Sequence, residues 1–365
     1  METERSAGSR RFRLALTVGC GVFVLAVVGA VSIGSVTVPF SEVVASLGHH
    51  LTYAIADGFA RLGIRDVPYL TATADSTTDM IVWQLRAPRT IAAIIVGAAL
   101  AVTGAALQAM VRNPLADPYV LGVSSGASLA AALVMSSATA SWMHSARVPF
   151  AAFVGAMITL GVVLAFAQRQ GTFTGARIVL AGVAVGQVAS AATTLVQLHS
   201  APAELRGMLF WMVGSVAGVD AFSKIWIPVV VAVVCIALIL TRGRGLNAMS
   251  MGDDDAIALG VNVHAFRLMI IVLVAVLTGV SVAMAGGVGF VGLMIPHAAR
   301  FLVGADYRRL MPVTALLGAG FLVFVDTVAR SVDPPNEYPL TIFTAACGGP
   351  FFLWLLRRSR TGGAV

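Results

Sequence analysis

Long apolar stretches alternate with short polar segments along the whole chain. Ten stretches are close to the roughly 20 residues that a helix needs to cross a bilayer. They lie near residues 14–33, 90–110, 119–138, 148–167, 178–198, 225–241, 266–286, 288–303, 311–329 and 340–356. Because the stretches are not confined to the start, we expect neither a cleavable signal nor a single anchor. The pattern predicts an all-α integral membrane protein with ten transmembrane helices.

The polar segments between the apolar stretches are too short to bury cores of their own. We therefore expect one transmembrane domain over residues 1–365. The longest polar segment, residues 36–85, contains a turn at Pro39, an amphipathic helical pattern over 40–62 and a Thr- and Asp-rich end. It is predicted to form an extracytoplasmic flap, and a poorly ordered linker is the alternative.

Composition and charge agree with a lipid environment. Hydrophobic residues make up 58% of the chain and charged residues 11%, whereas soluble domains carry about 25% charged residues. The net charge of +7 alone would also suit a nucleic-acid partner. With the N-terminus in the cytoplasm, however, sixteen of the 24 basic residues fall in inner segments and eight in outer ones. Since basic residues favour cytoplasmic segments, both termini are predicted inside, and no nucleic acid is required.

Several apolar stretches carry small residues at a spacing of four, about one helical turn. These residues are Ala93, Gly97, Ala101, Ala105 and Ala109, then Gly122, Gly126 and Ala130, then Gly182, Gly186 and Ser190. Small side chains let helices approach closely in lipid, so the stripes predict tight helix packing. Cys20, Cys235 and Cys347 lie in apolar stretches without paired spacing, so we expect neither a disulfide nor a bound metal.

The chain contains no Walker A loop for binding ATP. Such a loop is rich in glycine and has a lysine directly after its last glycine. The chain's only lysine, Lys224, follows Phe222-Ser223 rather than a glycine-rich loop. Active transport would therefore draw on a separate ATPase or on an ion gradient. A gradient-driven carrier needs ionisable groups inside its helices, and Asp326 is the main exception in spans that hold almost none. It is expected to pair with Arg330 four residues later, and a proton site is the alternative.

An acidic segment between the sixth and seventh spans offers a handle for a separate ATPase. Residues 252–260 read GDDDAIALG. Three acidic residues complement the dipole at the start of a short helix, and Gly260 suits a left-handed end. Residues 242–265 are therefore predicted to form a cytoplasmic coupling segment, with a solvated turn as the alternative.

Five segments together resemble one family of membrane proteins. The run NPLADP at 113–118, preceded by Gln108, closely resembles the signature of permeases of the cobalamin, ferric-siderophore and haem importer family. RAPR at 86–89, LRGMLFWMVG at 205–214 and GFVGL at 289–293 resemble further family motifs, and 252–260 resembles its ATPase-coupling helix. The resemblance covers about residues 80–357.

The resemblance implies a type II ABC importer permease fold and a set of partners. Two permeases, either identical or paralogous, would pair around a central path in the bacterial cytoplasmic membrane. Two cytoplasmic ATPases would bind ATP and Mg²⁺, so this chain would be neither an enzyme nor a cofactor carrier. An extracytoplasmic binding protein would deliver the metal chelate. Ferric siderophore is the first expectation, with haem and cobalamin as alternatives and a gradient-driven transporter or channel as the remote rival.

The resemblance also implies roles for individual residues. Docking of the binding protein is assigned to Arg86, Arg89 and Arg330, with snorkelling to lipid headgroups as the alternative. Coupling to the ATPase is assigned to Gly252, Asp253, Asp254, Ala256, Leu259 and Gly260. The translocation path is assigned to Met208, Phe210, Trp211 and Met212, with packing as the alternative. Structural roles fall to Gln108, Asn113, Pro114, Pro118, Gly289, Gly292, Pro296, His297 and Arg300.

Local expectations apply to Asn113, to His297 and to the histidine pair of the flap. Asn113 is expected to form a turn. His297 is expected to satisfy backbone groups that Pro296 frees, and not to bind a metal. The adjacent His49 and His50 of the flap are expected to be surface residues, with transfer of haem iron as the alternative.

Overall fold

The computed structural model describes residues 2–62, 64, 67–71, 74–137, 147–168 and 174–359. The count of basic residues on the two sides of the membrane included three arginines that lie outside the described residues, namely Arg65, Arg169 and Arg360. The α-helices in the described part are α1 (Glu2–Ser32), α2 (Phe40–Arg61), α3 (Ser76–Asp79), α4 (Ala87–Val111), α5 (Val123–Ser136), α6 (Arg147–Ala167), α7 (Gly175–His199), α8 (Pro202–Val213), α9 (Phe222–Thr241), α10 (Gly243–Met251), α11 (Asp253–Ala258), α12 (Val263–Ala285), α13 (Val291–Val303), α14 (Tyr307–Ala329) and α15 (Leu340–Ser359).

The predicted all-α membrane fold is confirmed. Eight helical segments of the described chain are long and apolar enough to cross a bilayer. The two shorter apolar helices, α5 and α13, account for the other two predicted spans. Each of the ten predicted stretches therefore coincides with a helix.

The second span begins earlier than predicted. A π-helical turn at Met80–Arg86 joins α3 to α4, so that helix runs from Ser76 to Val111 over 36 residues. Asp75 caps its start by accepting a hydrogen bond from the Thr77 backbone nitrogen at 3.3 Å. Residues 76–85, assigned to the flap from their polar start, thus belong to the second span.

Helix α4 forms the centre of the bundle, because 83% of the most apolar window of its span is buried. It crosses α14 where Gly97 faces Gly318, and it crosses α13 where Gly104 faces Gly292. A Cβ atom at Gly97 or Gly104 would overlap a carbonyl oxygen of the facing helix. Both glycines are therefore contact points between backbones. Gly97 belongs to the stripe that the spacing predicted, whereas Gly104 lies outside it.

The amphipathic helix predicted in the flap is present as α2, which begins after Pro39. Its polar side faces the protein: Ser46 Oγ donates to Asp79 at 2.6 Å, and His50 Nε2 lies 3.0 Å from the same carboxylate. The His50 ring also stacks on Trp83, with 4.3 Å between ring centroids. His49 Nδ1 bonds the Leu70 carbonyl at 2.6 Å. His50 thus holds the flap to the span below it, whereas His49 joins two parts of the flap.

Candidate functional site

Arg89, at the start of α4, forms ion pairs with two carboxylates. Its Nη2 lies 2.8 Å from Asp326 Oδ1 on α14, and its Nη1 lies 2.8 Å from Glu337 Oε1 in the loop before α15. The Asp326 side chain is 1% exposed, so Arg89 compensates a buried charge. The expected pair between Asp326 and Arg330 is also present, at 3.5 Å. Asp326 therefore has a structural ion-pair role between two arginines.

Arg86 and Arg330 bind the carboxyl end of α1. Arg86 Nη1 donates to the carbonyls of Val31 and Ser32 at 2.7 and 2.9 Å, and Nη2 donates to the Val36 carbonyl. Arg330 donates to the Ala30 carbonyl. The last carbonyls of a helix lack partners within the helix and carry partial negative charge. The two guanidinium groups supply both the missing donors and the opposite charge.

Two of the three arginines assigned to docking are therefore not exposed cations in this conformation. Arg86 is 5% exposed and Arg330 is 6% exposed. The alternative of snorkelling to lipid headgroups does not describe them either, because their guanidinium groups point into protein. The sequence placed these arginines at outer helix ends but contained no signal for their partners on α1.

The residues predicted to line the path separate into two groups. Phe210 is 41% exposed and lines an apolar cavity of about 450 Å³ together with Leu205, Leu209 and Val213. Met212 lines a second, polar cavity. Met208 is 1% exposed and Trp211 packs against the core, so the packing alternative describes these two residues. Assigning Met208 to the path surface is therefore wrong for this conformation.

The polar cavity lies between α5, α7 and α8 and measures about 270 Å³. Its walls consist of Ser124, Ser125, Ser128, Ser190, Thr193, Thr194, Gln197 and Met212. Helices α5 and α7 approach each other closely because Gly122, at the start of α5, contacts Gly182 and Gly186 of α7. Six hydroxyl groups and one amide thereby line one half-open space, in which Thr193 is buried and Ser190 and Thr194 are exposed.

The motifs around NPLADP and GFVGL meet in the structure. Gln108 Nε2 donates to the Gly292 carbonyl at 3.3 Å, and Pro118 packs against Gly292. Tyr119 Oη joins them further, donating to the Val288 carbonyl at 2.9 Å and accepting from its nitrogen at 2.8 Å. These contacts fix the start of α5 against the start of α13.

Asn113 forms the expected turn, because its Oδ1 accepts a hydrogen bond from the Leu115 nitrogen at 2.9 Å. Pro114 follows it in that turn. Gly289 has no heavy atom near the position of an added Cβ, so its place in the motif is not explained by packing.

His297 differs from its expected role. Pro296 lies inside α13, but the buried His297 Nδ1 has no hydrogen-bond partner, so it does not satisfy a freed backbone group. The ring instead meets Phe301 edge to face, with 5.2 Å between centroids. One turn along the helix, Arg300 Nη2 donates to Tyr307 Oη at 3.2 Å, which joins α13 to α14.

The acidic segment forms the short helix α11, bounded by two glycines with positive φ. Gly252 precedes it at φ 140° and Gly260 follows it at φ 80°, as expected for a left-handed end. Ala256 is buried, and Asp253 pairs with the buried Arg267 of α12 at 2.7 Å. Asp254 is exposed, and Leu259 is 64% exposed. One side of α11 is thus fixed to the bundle, and the other presents acidic and apolar groups.

Helix α10, which precedes α11, is bound to the start of α14. Asn247 Nδ2 donates to Asp306 Oδ1 at 2.7 Å, and Asn247 Oδ1 accepts from the Tyr307 nitrogen at 2.8 Å. Burial opposes ionisation of Asp306, but the hydrogen bond from Asn247 and the nearby Arg308 and Arg309 outweigh it and lower its pKa. Helix α10 therefore links the segment that holds α11 to the start of α14.

The sequence matches a described family over nearly all of this architecture. Residues 22–358 fit the model of the FecCD transport family. The chain belongs to the FecCD transport family. The vitamin B12 import system permease protein BtuC of Citrobacter koseri is 39% identical over 285 residues, which cover 77% of this chain and 84% of that protein. BtuC of Klebsiella pneumoniae is 37% identical over 287 residues, with 78% and 84% covered.

A solved structure agrees with the FecCD assignment. It is described as an inward-facing conformation of a metal-chelate type ABC transporter. The TM-score is 0.75 at 28% identity, and the match covers 95% of this chain and 99% of the other. The chain is thus the permease subunit of an ABC importer, and ATP hydrolysis belongs to a separate subunit. The permease predicted from the sequence is confirmed.

The sequence did not reveal several residues that this FecCD permease uses to build its sites. Glu337 and Asn247 each bind a partner on another element, far away in the chain. Tyr119 directly follows a recognised motif, yet no spacing links it to Val288. A usable signal existed only for the polar cavity, because Ser190, Thr194 and Gln197 lie on one face of α7.

Proposed function

We propose that this permease imports a metal chelate across the bacterial cytoplasmic membrane by alternating between outward and inward openings. A second permease, identical or paralogous, would complete the pore. An extracytoplasmic binding protein would deliver the chelate, and two cytoplasmic ATPases with bound ATP and Mg²⁺ would supply the energy. The match to a metal-chelate type transporter over 95% of the chain supports this class of substrate.

Helix α11 is the observation that carries the coupling part of the proposal. Ile257 and Leu259 are 62% and 64% exposed beside Asp254, while Ala256 and Asp253 hold the helix to the bundle. Helix α11 is short and lies between two membrane-spanning helices. Its exposed apolar and acidic side chains would fit a groove in an ATPase subunit. This orientation also requires both termini to be cytoplasmic, in agreement with the distribution of basic residues.

Vitamin B12 takes first place among the three chelates considered from the sequence, because the BtuC relatives reach 39% identity. Ferric siderophore and haem follow. All three are bulky complexes that present an organic periphery around a metal, so the same translocation path would accommodate any of them.

Docking of the binding protein at Arg86, Arg89 and Arg330 is part of the proposal. Arg86 and Arg330 are occupied by carbonyls of α1, and Asp326 is buried. Glu337, at 34% exposed, is the most accessible partner of Arg89. An incoming carboxylate would therefore replace Glu337 on Arg89, since bidentate pairing favours arginine.

The test is uptake by the complete complex in proteoliposomes. Permease, ATPase and binding protein are reconstituted, and entry of cyanocobalamin, a ferric siderophore and haemin is measured with and without ATP. We expect ATP-dependent entry of one chelate and none without the ATPase. Entry driven by a proton gradient in vesicles that hold the permease alone would favour a secondary transporter and refute the proposal.

A further inference from the structure

Helix α2 of the flap carries large apolar side chains that remain exposed along one side of the helix. They are Phe40, Val44, Leu51, Ile55 and Phe59, and they are between 41% and 58% exposed. Spacings of four and seven residues place all five on the same side, because an α-helix turns once in about 3.6 residues. We call this set the apolar row of α2. Contiguous exposed apolar groups of this kind indicate a contact surface.

The side of α2 nearest the spans already contacts protein. Val43 forms a small core with Val31 at the end of α1 and Val82 in the second span. On the same side, Ser46 Oγ donates to Asp79 at 2.6 Å. These contacts hold α2 at the level where α1 ends and the second span begins.

Another side of α2 is covered by the segment of the flap that returns towards the second span. His49 Nδ1 bonds the Leu70 carbonyl at 2.6 Å, and the Leu70 nitrogen donates to Thr52 Oγ1 at 3.0 Å. Tyr53 meets Tyr69 edge to face, with 5.5 Å between ring centroids. Protein thus covers two sides of α2, whereas the apolar row stays exposed.

The apolar row continues a series of exposed apolar residues that begins on α1. Only 11% of the most apolar window of α1 is buried, so lipid surrounds most of that helix. Leu25 near its end is 72% exposed, and Ile33 and Val36, which follow α1, are 47% and 56% exposed. Phe40 begins the apolar row four residues after Val36. The neighbouring surface that faces lipid therefore leads directly into the apolar row.

The charges of α2 do not suit a charged partner. The helix contains one basic residue, Arg61, against the two acidic residues Glu42 and Asp57, which leaves a net charge of −1 when histidine is neutral. Arg61 Nη2 already pairs with Asp57 at 2.7 Å. Attraction to anionic lipid needs an excess of basic residues, which α2 lacks. Any contact of this helix with a bilayer must therefore come from apolar burial.

We propose that the apolar row of α2 inserts into the outer leaflet, at the boundary between the headgroups and acyl chains of uncharged phospholipid. Amphipathic helices that lie on a bilayer bury their apolar face about 5–10 Å deep in this region. The inference goes beyond the proposed function, because it assigns a lipid contact to the flap whichever chelate is carried. Since Ser46 and His50 both bond Asp79, a flap held by lipid also fixes the first turn of the second span.

The test measures lipid contact on the full-length permease in phosphatidylcholine vesicles. Cys20, Cys235 and Cys347 are changed to alanine, and a single new cysteine carries a bimane fluorophore. Leu51→Cys places the fluorophore in the apolar row, where the native side chain is 57% exposed. Ala60→Cys is the matched control, because Ala60 is also exposed on α2 but lies about two and a half turns away and so on the opposite side.

Two quenchers distinguish lipid from water around the fluorophore. A phosphatidylcholine with a nitroxide near the headgroup end of its acyl chain quenches from the interface, and iodide quenches from water. For an inserted helix face we expect roughly threefold stronger nitroxide quenching and roughly threefold weaker iodide quenching at Leu51→Cys than at Ala60→Cys.

A second position and a depth control complete the design. Val44→Cys repeats the measurement in the apolar row if Leu51→Cys does not reconstitute. Ile158→Cys, at a residue 63% exposed in the middle of α6, should be quenched best by a nitroxide near the end of the acyl chain. The apolar row should instead be quenched best by the nitroxide near the headgroup, since an interfacial helix does not reach the bilayer centre.

Three outcomes would overturn the proposal. Equal iodide quenching at Leu51→Cys and Ala60→Cys would show that the apolar row faces water. Protection of Leu51→Cys from both quenchers would show that protein covers it. Nitroxide quenching that requires added phosphatidylglycerol and disappears in salt would show an electrostatic contact instead of an apolar one. None of these measurements involves transport, so each outcome leaves the proposed importer function untouched.

Discussion

Arg89 and Asp326 form a 2.8 Å salt bridge that joins the start of α4 to α14. Asp326 contacts Arg330 on the same helix as well, and Arg89 extends to Glu337. Among the described residues, Asp326 is the carboxylate that forms an ion pair with Arg330, which also donates to the Ala30 carbonyl. Asp326 thus balances two arginines whose charges would otherwise repel each other.

Replacing Asp326 by Asn should destabilise the permease by about 3–5 kcal/mol, the usual cost of leaving a buried charge without its partner. The measurement is thermal unfolding of the purified protein in detergent. The matched control is the double variant Arg89→Met with Asp326→Leu, which removes both charges and should recover part of the loss. Equal stability of Asp326→Asn and wild type would contradict the assigned role.

Changing the exposed side of α11 should uncouple ATP hydrolysis from transport. In Asp254→Asn with Leu259→Ser, both altered side chains are exposed, so the fold should persist. We expect uptake to fall more than tenfold while the complex still hydrolyses ATP. Leu62→Ser, which alters an apolar residue 79% exposed at the end of α2, is the control. Undiminished uptake in the double variant would refute coupling through α11.

Two glycines near the α4–α13 contact should respond differently to an added methyl group. In Gly104→Ala the new Cβ meets the Gly292 carbonyl, a backbone atom that cannot rotate away. Overpacking of this kind costs about 1–3 kcal/mol or more. In Gly289→Ala the Cβ meets no heavy atom within 4 Å. The yield of monodisperse protein should therefore fall for the first variant only, and similar yields would show that α4 and α13 are not in close contact.

Stability should depend on pH through Asp306. Its pKa lies below the usual 3.8 in the folded protein, so its stabilising contribution is present above that pH and is lost as the pH falls through the folded value. Asn247→Ala removes one cause of the shift and should lower the unfolding temperature at pH 7. The difference from wild type should shrink as the pH approaches 3. Asn336→Ala, at an exposed side-chain pair with Asp333, is the control and should shift little.

The sequence was sufficient for the features that depend on local pattern. Apolar length located ten spans, and the alternation of polar and apolar residues located α2. Spacing of small residues identified the contact of α4 with α14 at Gly97, because helix geometry alone decides which residues share a face, but it missed the contact with α13 at Gly104. The glycines around α11 were likewise readable, since positive φ favours glycine.

Features that depend on distant contacts were not readable. Polar Ser76 and Asp79 looked like loop residues, but Asp79 is bound by α2 and lies in a continuous helix. The partners of Arg86 are backbone carbonyls, which every residue possesses, so no sequence pattern marks them. The His297 ring packs against Phe301 and Phe351, and its Nδ1 has no hydrogen-bond partner among the described residues. The spacing of residues in the sequence predicts neither fact.

The arginine contacts at the carboxyl end of α1 have a consequence for assembly during synthesis. Only 11% of the most apolar window of this first span is buried, so lipid surrounds most of it. Its closing donors come from Arg86 and from Arg330, which lies 300 residues beyond Ala30 in the chain. Helix α1 therefore acquires its contact with Arg330 only after α14 has been made, and a chain interrupted before residue 330 leaves the Ala30 carbonyl without this donor while Arg86 still bonds Val31 and Ser32.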